Sequence, residues 1–180
     1  MSAVWKKVSG VWMQQTTWSK VWKKTSGVWN ILCQRAIAIY YRGTAYVNTW
    51  DLRVDNTGGC TFYNVSYQMQ MNVLNQQNTL PFGIFSLSTK VDVTAFSRVK
   101  IVFQSNKLDT FWFYTGAGIS YAHENAFSAI YISNNMYSDQ IAYLDISGVT
   151  GLVHLLFQIY AQQTSSGGYH QVLVREVTLE

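Results

Sequence analysis

The chain has 180 residues and a net charge of +4, and is 48% hydrophobic, 16% aromatic and 12% charged. So much apolar and aromatic content with so little charge excludes a disordered chain, and the length suffices to bury a core without disulfide or metal staples. Cys33 and Cys60, with no CxxC and no histidine at ligand spacing, fit neither a disulfide scaffold nor a zinc site, which leaves two free, buried thiols as the expectation.

At the N-terminus Lys6 and Lys7 run into Val8-Ser9-Gly10 rather than an apolar stretch, so no secretory signal is expected. No run of about 18 apolar residues follows, so no membrane insertion is expected either. The charge is divided along the chain. Residues 1–50 hold Lys6, Lys7, Lys20, Lys23, Lys24, Arg35 and Arg42 and no acid, a net +7. Residues 51–180 hold six bases and nine acids, a net −3. A basic head on a faintly acidic body suggests two surfaces with two partners.

The head is a repeat. Val4-Trp-Lys-Lys-Val-Ser-Gly-Val-Trp12 returns as Val21-Trp-Lys-Lys-Thr-Ser-Gly-Val-Trp29, identical at eight of nine positions with an offset of 17. Each copy sets a Ser-Gly turn between two β-prone runs. A two-residue turn at Ser9-Gly10 places Val8 opposite Val11 and Lys7 opposite Trp12. In the second copy Thr25 falls opposite Val28 and Lys24 opposite Trp29. A lysine stem over an indole covers apolar surface and adds a cation–π attraction. Trp5, Trp12, Trp18, Trp22 and Trp29 supply five of the seven tryptophans, more than two hairpins can bury alone. Residues 1–35 are therefore expected to form a separate attachment module, with those indoles, Lys7 and Lys24 as its interface. The rings could pack on symmetry mates, on another protein or on the body of the same chain. Nucleic acid, which lysines interleaved with aromatics can bind, is not the expected partner, because hairpin pairing already explains the lysine positions and arginines are scarce.

This repeat resembles those of minor virion proteins of tailed bacteriophages, over about residues 3–32. The resemblance implies a structural component of a virion appendage, of tail, baseplate or head-fibre type, assembled in the host cytoplasm. It also implies attachment to other virion proteins through residues 1–35 and a homotrimer.

From residue 36 onward, short β-prone runs alternate with turn signals, as in a β-sandwich. The expected strands are 36–50, 61–73, 83–87, 98–104, 110–115, 129–133, 141–146, 153–161 and 169–179, with turns at Asn56-Thr-Gly-Gly59, Asn134-Asn135, Ser147-Gly148 and Ser165-Ser-Gly-Gly168. Alternation is clear in Tyr67-Gln-Met-Gln-Met-Asn-Val73 and Val172-Leu-Val-Arg-Glu-Val-Thr-Leu179. Asp92 and Asp145 stand where a carboxylate can cap the next backbone amides, with Thr94 and Ser147 closing the turns. His154, inside an apolar run, is expected to be a hydrogen-bonded core residue. The segments Val91–Phe103, Leu144–Gly151 and Val172–Leu179 resemble jelly-roll carbohydrate-binding modules. The fold expected for the whole chain is all-β: a jelly-roll-like sandwich over 36–180, preceded by the hairpin module.

No metal, phosphate-loop, dinucleotide or hydrolase motif occurs, and the neighbours His123 and Glu124 would point to opposite faces of a strand. No catalytic residue, cofactor or metal is assigned, and the chain is read as non-enzymatic. Sugar binding instead needs aromatic platforms with a few amide or carboxylate partners. The candidates are Trp112 and Tyr114, which alternate with Phe111 and Phe113, then Tyr121, His123, Asn125, Asn135, Tyr137 and Asp139. The segment from Tyr121 to Asp139 is the expected exposed recognition loop, with host surface glycan as its ligand. The alternatives are a head-fibre or capsid-decorating protein with a purely structural sandwich, and a free glycan-binding module or polysaccharide depolymerase.

Overall fold

The computed structural model describes residues 5–8, 11–14, 20–25, 27–34, 36–46, 49–56, 58–77, 79–105, 110–118, 125–133, 136–161 and 167–180. The chain divides into two compact units, Met1–Ile37 and Ala38–Glu180.

The first unit contains two antiparallel hairpins, β1 (Trp5–Val8) with β2 (Val11–Gln14) and β3 (Lys20–Thr25) with β4 (Val28–Gln34). Their registers follow from the Ser-Gly connections. Val8 pairs with Val11 and Lys7 with Trp12, and likewise Thr25 with Val28 and Lys24 with Trp29. Gly27, at φ +84°, supplies the left-handed residue of the second turn. Trp18 lies outside the described residues.

The second unit is a β-sandwich. Its strands are β5 (Ile37–Tyr41), β6 (Thr44–Ala45), β7 (Trp50–Asp55), β8 (Cys60–Val65), β9 (Gln68–Leu74), β10 (Phe82–Leu87), β11 (Val91–Asp92), β12 (Arg98–Ser105), β13 (Thr110–Gly116), β14 (Ser128–Ser133), β15 (Met136–Asp145), β16 (Leu152–Tyr160) and β17 (Tyr169–Leu179). One sheet runs β14-β13-β16-β10-β7, with β11 also on β16. The other runs β15-β12-β17, after which β17 carries β9 then β8 along one stretch and β5 then β6 along another. The expected strand 36–50 is in fact β5, β6 and the start of β7. Arg42 (φ 44°) and Gly43 (φ 91°) make a two-residue turn of the primed kind between Tyr41 and Thr44, which the β-prone composition around it conceals. The expected strand 61–73 is likewise a hairpin, with Val65 paired to Gln68 around Ser66-Tyr67.

Strict alternation sets the core. In β12 Val99, Ile101, Phe103 and Ser105 are buried while the residues between them are not. Phe103 meets Phe111 of the opposite sheet edge-on at 5.2 Å between centroids, and Phe62 meets Phe85 across the sandwich at 6.2 Å. Each large side chain so buried contributes about 1.5–3 kcal/mol. His170 of β17 is completely buried between the sheets. Its Nε2 lies 3.2 Å from Ser105 Oγ, and its Nδ1 hydrogen-bonds the carbonyl of Tyr160 in the other sheet. Val153, Leu155, Phe157 and Ile159 of β16 point into the core, and on its opposite, mixed face Leu156 is buried with Ile84 and Tyr114. His154 shares that outer face, opposite Gly116, and is half-buried there, so it is not a core residue.

The turn acids act as the sequence suggests. Asp92 Oδ1 accepts from the Thr94 amide at 2.9 Å, and Asp145 Oδ1 from the Ser147 amide at 2.9 Å. The Thr94 hydroxyl accepts from the Gly151 amide at 2.7 Å. Asp55 does the same at the Asn56–Gly59 turn, accepting from the amides of Gly58 (2.8 Å) and Cys60 (2.9 Å). Cys60 is a free, buried thiol; burial and the neighbouring Asp55 carboxylate push its ionisation far up, so it stays protonated.

Candidate functional site

The candidate residues named from the sequence are divided by the fold. Trp112 and Tyr114 lie on the outer face of the first sheet, because Phe111 and Phe113 take the core positions of β13. Trp112 packs on Tyr131 of β14, with ring centroids 4.8 Å apart. Tyr114 is buried against Ile84 and Leu156, which removes it as a binding platform: a ring enclosed on both faces cannot stack on a sugar. Asn125 is exposed, just before β14. Tyr137 and Asp139 belong to β15, in the opposite sheet. The segment from Tyr121 to Asp139 is therefore not one recognition loop, since β14 and β15 occupy much of it and face different ways. Tyr121, His123 and Asn135 lie outside the described residues.

What gathers chemistry is the outer face of the second sheet. Core positions on β12, β17, β9 and β8 are fixed by their apolar residues, so period 2 sends the intervening polar residues outward together. The registers align Gln104, Leu173, Gln70 and Tyr63 in a single row across β12, β17, β9 and β8, and Asp139 of β15 joins its end through a hydrogen bond from Gln104, where the β12–β15 register is irregular. At about 4.8 Å per strand step, the row with Asp139 is about 19 Å long. A second row joins Gln171, Asn72 and Thr61, and a third joins Tyr143, Lys100 and Thr178. Tyr63, Tyr67, Tyr137, Ile141 and Tyr143 are exposed around these rows, Tyr137 at 77%.

Hydrogen bonds along the rows hold the side chains in place. Asn72 Oδ1 accepts from Gln171 Nε2 at 3.0 Å and Gln70 Nε2 at 3.3 Å, and its Nδ2 donates to Thr61 Oγ1 at 2.9 Å. Gln104 Nε2 donates to Asp139 Oδ1 at 2.9 Å, and Arg175 grips the other oxygen of Asp139 at 2.8 Å. Lys100 pairs with Glu176 at 3.0 Å and Arg98 with Glu180 at 2.8 Å. The Arg98 guanidinium also lies over the Tyr143 ring, 4.5 Å from its centroid. Such half-exposed pairs add little stability, but they neutralise the face and fix the orientation of its long side chains.

Among the described residues, Asp55, Asp92 and Asp145 cap turns, and Asp51, Asp139, Glu176 and Glu180 are in ion pairs. The Ser147 amide holds the Asp145 carboxyl below its ordinary range. No group of three or more potential metal ligands occurs among the described residues. The face left one trace in the sequence. In Tyr67–Val73 the positions alternating with methionine and valine are amides rather than charges, and those amides are Gln68, Gln70 and Asn72.

No family model matches the chain, and no curated protein matches it. Solved structures share its fold. The K2 cleaved adhesin domain of Lys-gingipain aligns at 11% identity and TM-score 0.53, over 81% of this chain and 99% of that one. The glycoside hydrolase domain of Endo-D from Streptococcus pneumoniae R6 aligns at 10% identity and TM-score 0.53, over 73% of this chain but 21% of that one. The family 11 carbohydrate-binding module of a Clostridium thermocellum cellulosomal cellulase aligns at 9% identity and TM-score 0.49, over 79% and 93%. At these identities the likeness to the two matches at TM-score 0.53 is one of fold alone.

Proposed function

We propose that the 38–180 unit is a non-enzymatic glycan-binding module whose site is the outer face of the second sheet. The observation that carries this reading is the row Gln104–Leu173–Gln70–Tyr63, extended by Asp139 hydrogen-bonded to Gln104, with its flanking tyrosines. A sugar presents hydroxyls at its rim and apolar C–H patches on its ring faces. Preorganised amides and a carboxylate match the first, and exposed tyrosine rings match the second. Side chains already held by hydrogen bonds lose little entropy on binding. The face is open and long rather than closed, which suits the interior of an extended chain.

The basic hairpin unit is the attachment module of this reading, joining the protein to other components of a virion appendage, with a homotrimer as the assembly. The phage-type repeat at Val4–Trp12 and Val21–Trp29 supports that setting, and the opposite charge of the two parts of the chain supports a division of labour.

The test is a glycan array followed by calorimetry on the full chain. Tyr63→Ala and Gln70→Ala should each weaken binding about tenfold, as expected for losing a stacked ring or a hydrogen bond to a bound hydroxyl. Trp112→Ala, on the other sheet, should leave affinity unchanged. Loss of binding on Trp112→Ala with none on Tyr63→Ala would move the site to the wrong sheet and refute the assignment. A blank array would favour a purely structural sandwich, and release of reducing ends from a bound polysaccharide would overturn the non-enzymatic reading.

A further inference from the structure

A cavity of about 110 Å³ opens between the two sheets at the end carrying β5–β9. Tyr40, Trp50 and Met69, all buried, form its deep side, with Phe62 and Ala45 half-buried along its walls. The exposed residues Thr49 and Asn64 mark its mouth. The Tyr40 hydroxyl donates to Asn64 Oδ1 at 3.1 Å, which turns the amide so that Asn64 Nδ2 is the donor end, 3.4 Å from the Gly43 carbonyl. Burial raises the Tyr40 phenol to about 12, so it remains a neutral donor and keeps that orientation.

Size and polarity limit what can enter. Water occupies about 30 Å³ in the liquid, and a cavity of about 150 Å³ takes benzene, so this one takes a group of about four or five heavy atoms and no sugar ring. Among the described residues no charged side chain lines it, and a carboxylate buried without a partner carries a high cost. Aromatic and thioether walls favour a methyl group, while the Asn64 amide and Thr49 hydroxyl at the mouth favour a carbonyl oxygen just outside it.

We infer that this cavity receives the acetamido group of an N-acetylated hexosamine, methyl inward and carbonyl at the mouth. The inference rests on the glycan-binding reading and names a chemical group that the bound chain carries. The neighbouring outward position on β8 is Tyr63, at the end of the long row of the sheet face, so one chain has polar partners on both sides of this strand.

The experiment uses the full chain and three probes: acetamide, an N-acetylglucosamine oligomer, and the glucose oligomer of the same linkage and length. Acetamide should saturably shift the indole resonance of Trp50, assigned with Trp50→Phe. The N-acetylated oligomer should bind about tenfold tighter than the glucose oligomer, as expected for burying one methyl and adding one hydrogen bond. Ala45→Leu, which fills the cavity, should abolish the acetamide shift and bring the two oligomers level. If that variant fails to fold, Thr49→Val should still reduce the preference. The acetamide shift should persist in Tyr63→Ala. Equal affinity of the two oligomers would overturn this inference and leave the glycan reading standing. An acetamide shift without binding of either oligomer would overturn the glycan reading, and with it this inference about a hexosamine.

Discussion

Single residues show how far local chemistry reaches. Gly43 and Gly58 both sit at positive φ, +91° and +72°, so alanine is strained at either. Their surroundings differ. A Cβ on Gly43 would lie 2.4 Å from the Ser66 carbonyl oxygen, whereas one on Gly58 would meet nothing within 4 Å. Gly58→Ala should therefore cost about 1 kcal/mol, the left-handed penalty alone, and Gly43→Ala clearly more, about 3 kcal/mol, read from urea midpoints. His154 gives a pH prediction. Burial first, then the nearby Lys90 and Arg53, lower its pKa from 6.5, against a backbone hydrogen bond at Leu87 that raises it. The unfolded chain then takes up the proton at higher pH than the folded one. The contribution of His154 is complete above about pH 6.5 and is lost as pH falls toward its lowered folded value. Thermal midpoints between pH 7.5 and about 5 should drop in the wild type and drop less in His154→Gln. An unchanged slope would show that His154 is not the group responsible. Asp145, also lowered, acts in a separate window, since its contribution is lost only as pH falls below the ordinary aspartate value of 3.8.

At the scale of elements, composition located the strands and turns delimited them, but only where the turn carried a recognisable signature. The Ser-Gly repeat determined its own registers down to the Lys7–Trp12 and Lys24–Trp29 pairs, because a two-residue connection leaves no freedom in the pairing. Arg42-Gly43 and Ser66-Tyr67 carry no such signature, since one has an arginine at positive φ and the other contains no glycine, proline or asparagine. The candidate site follows the same rule. Trp112 and Tyr114 share one side of β13 as alternation requires, yet Tyr114 is covered, and alternation cannot say whether an outer face is open. The amides Gln70, Asn72, Gln104 and Gln171 come from three strands far apart in the chain, and only the register of β12, β17 and β9 makes them neighbours.

At the scale of the whole molecule, the two units of 1–37 and 38–180 predict separable behaviour. Removing residues 1–37 should leave a body that unfolds cooperatively at a thermal midpoint within a few degrees of the intact chain, because its core is drawn from strands after residue 38. In the proposed virion setting the same truncation should abolish incorporation into particles, measured by mass spectrometry of purified virions. Normal incorporation would refute the attachment role. The sequence by itself determined the all-β class, the hairpin repeat, the division of charge and the capping roles of Asp92 and Asp145, because each depends on residues within a few positions of one another. Only the tertiary structure decided which aromatics are enclosed, which sheet face gathers amides and ion pairs, and that a small cavity stands between the sheets beside Trp50. Those features arise from contacts between distant strands, and a β-strand records in its sequence that it has two faces but not what lies across from either.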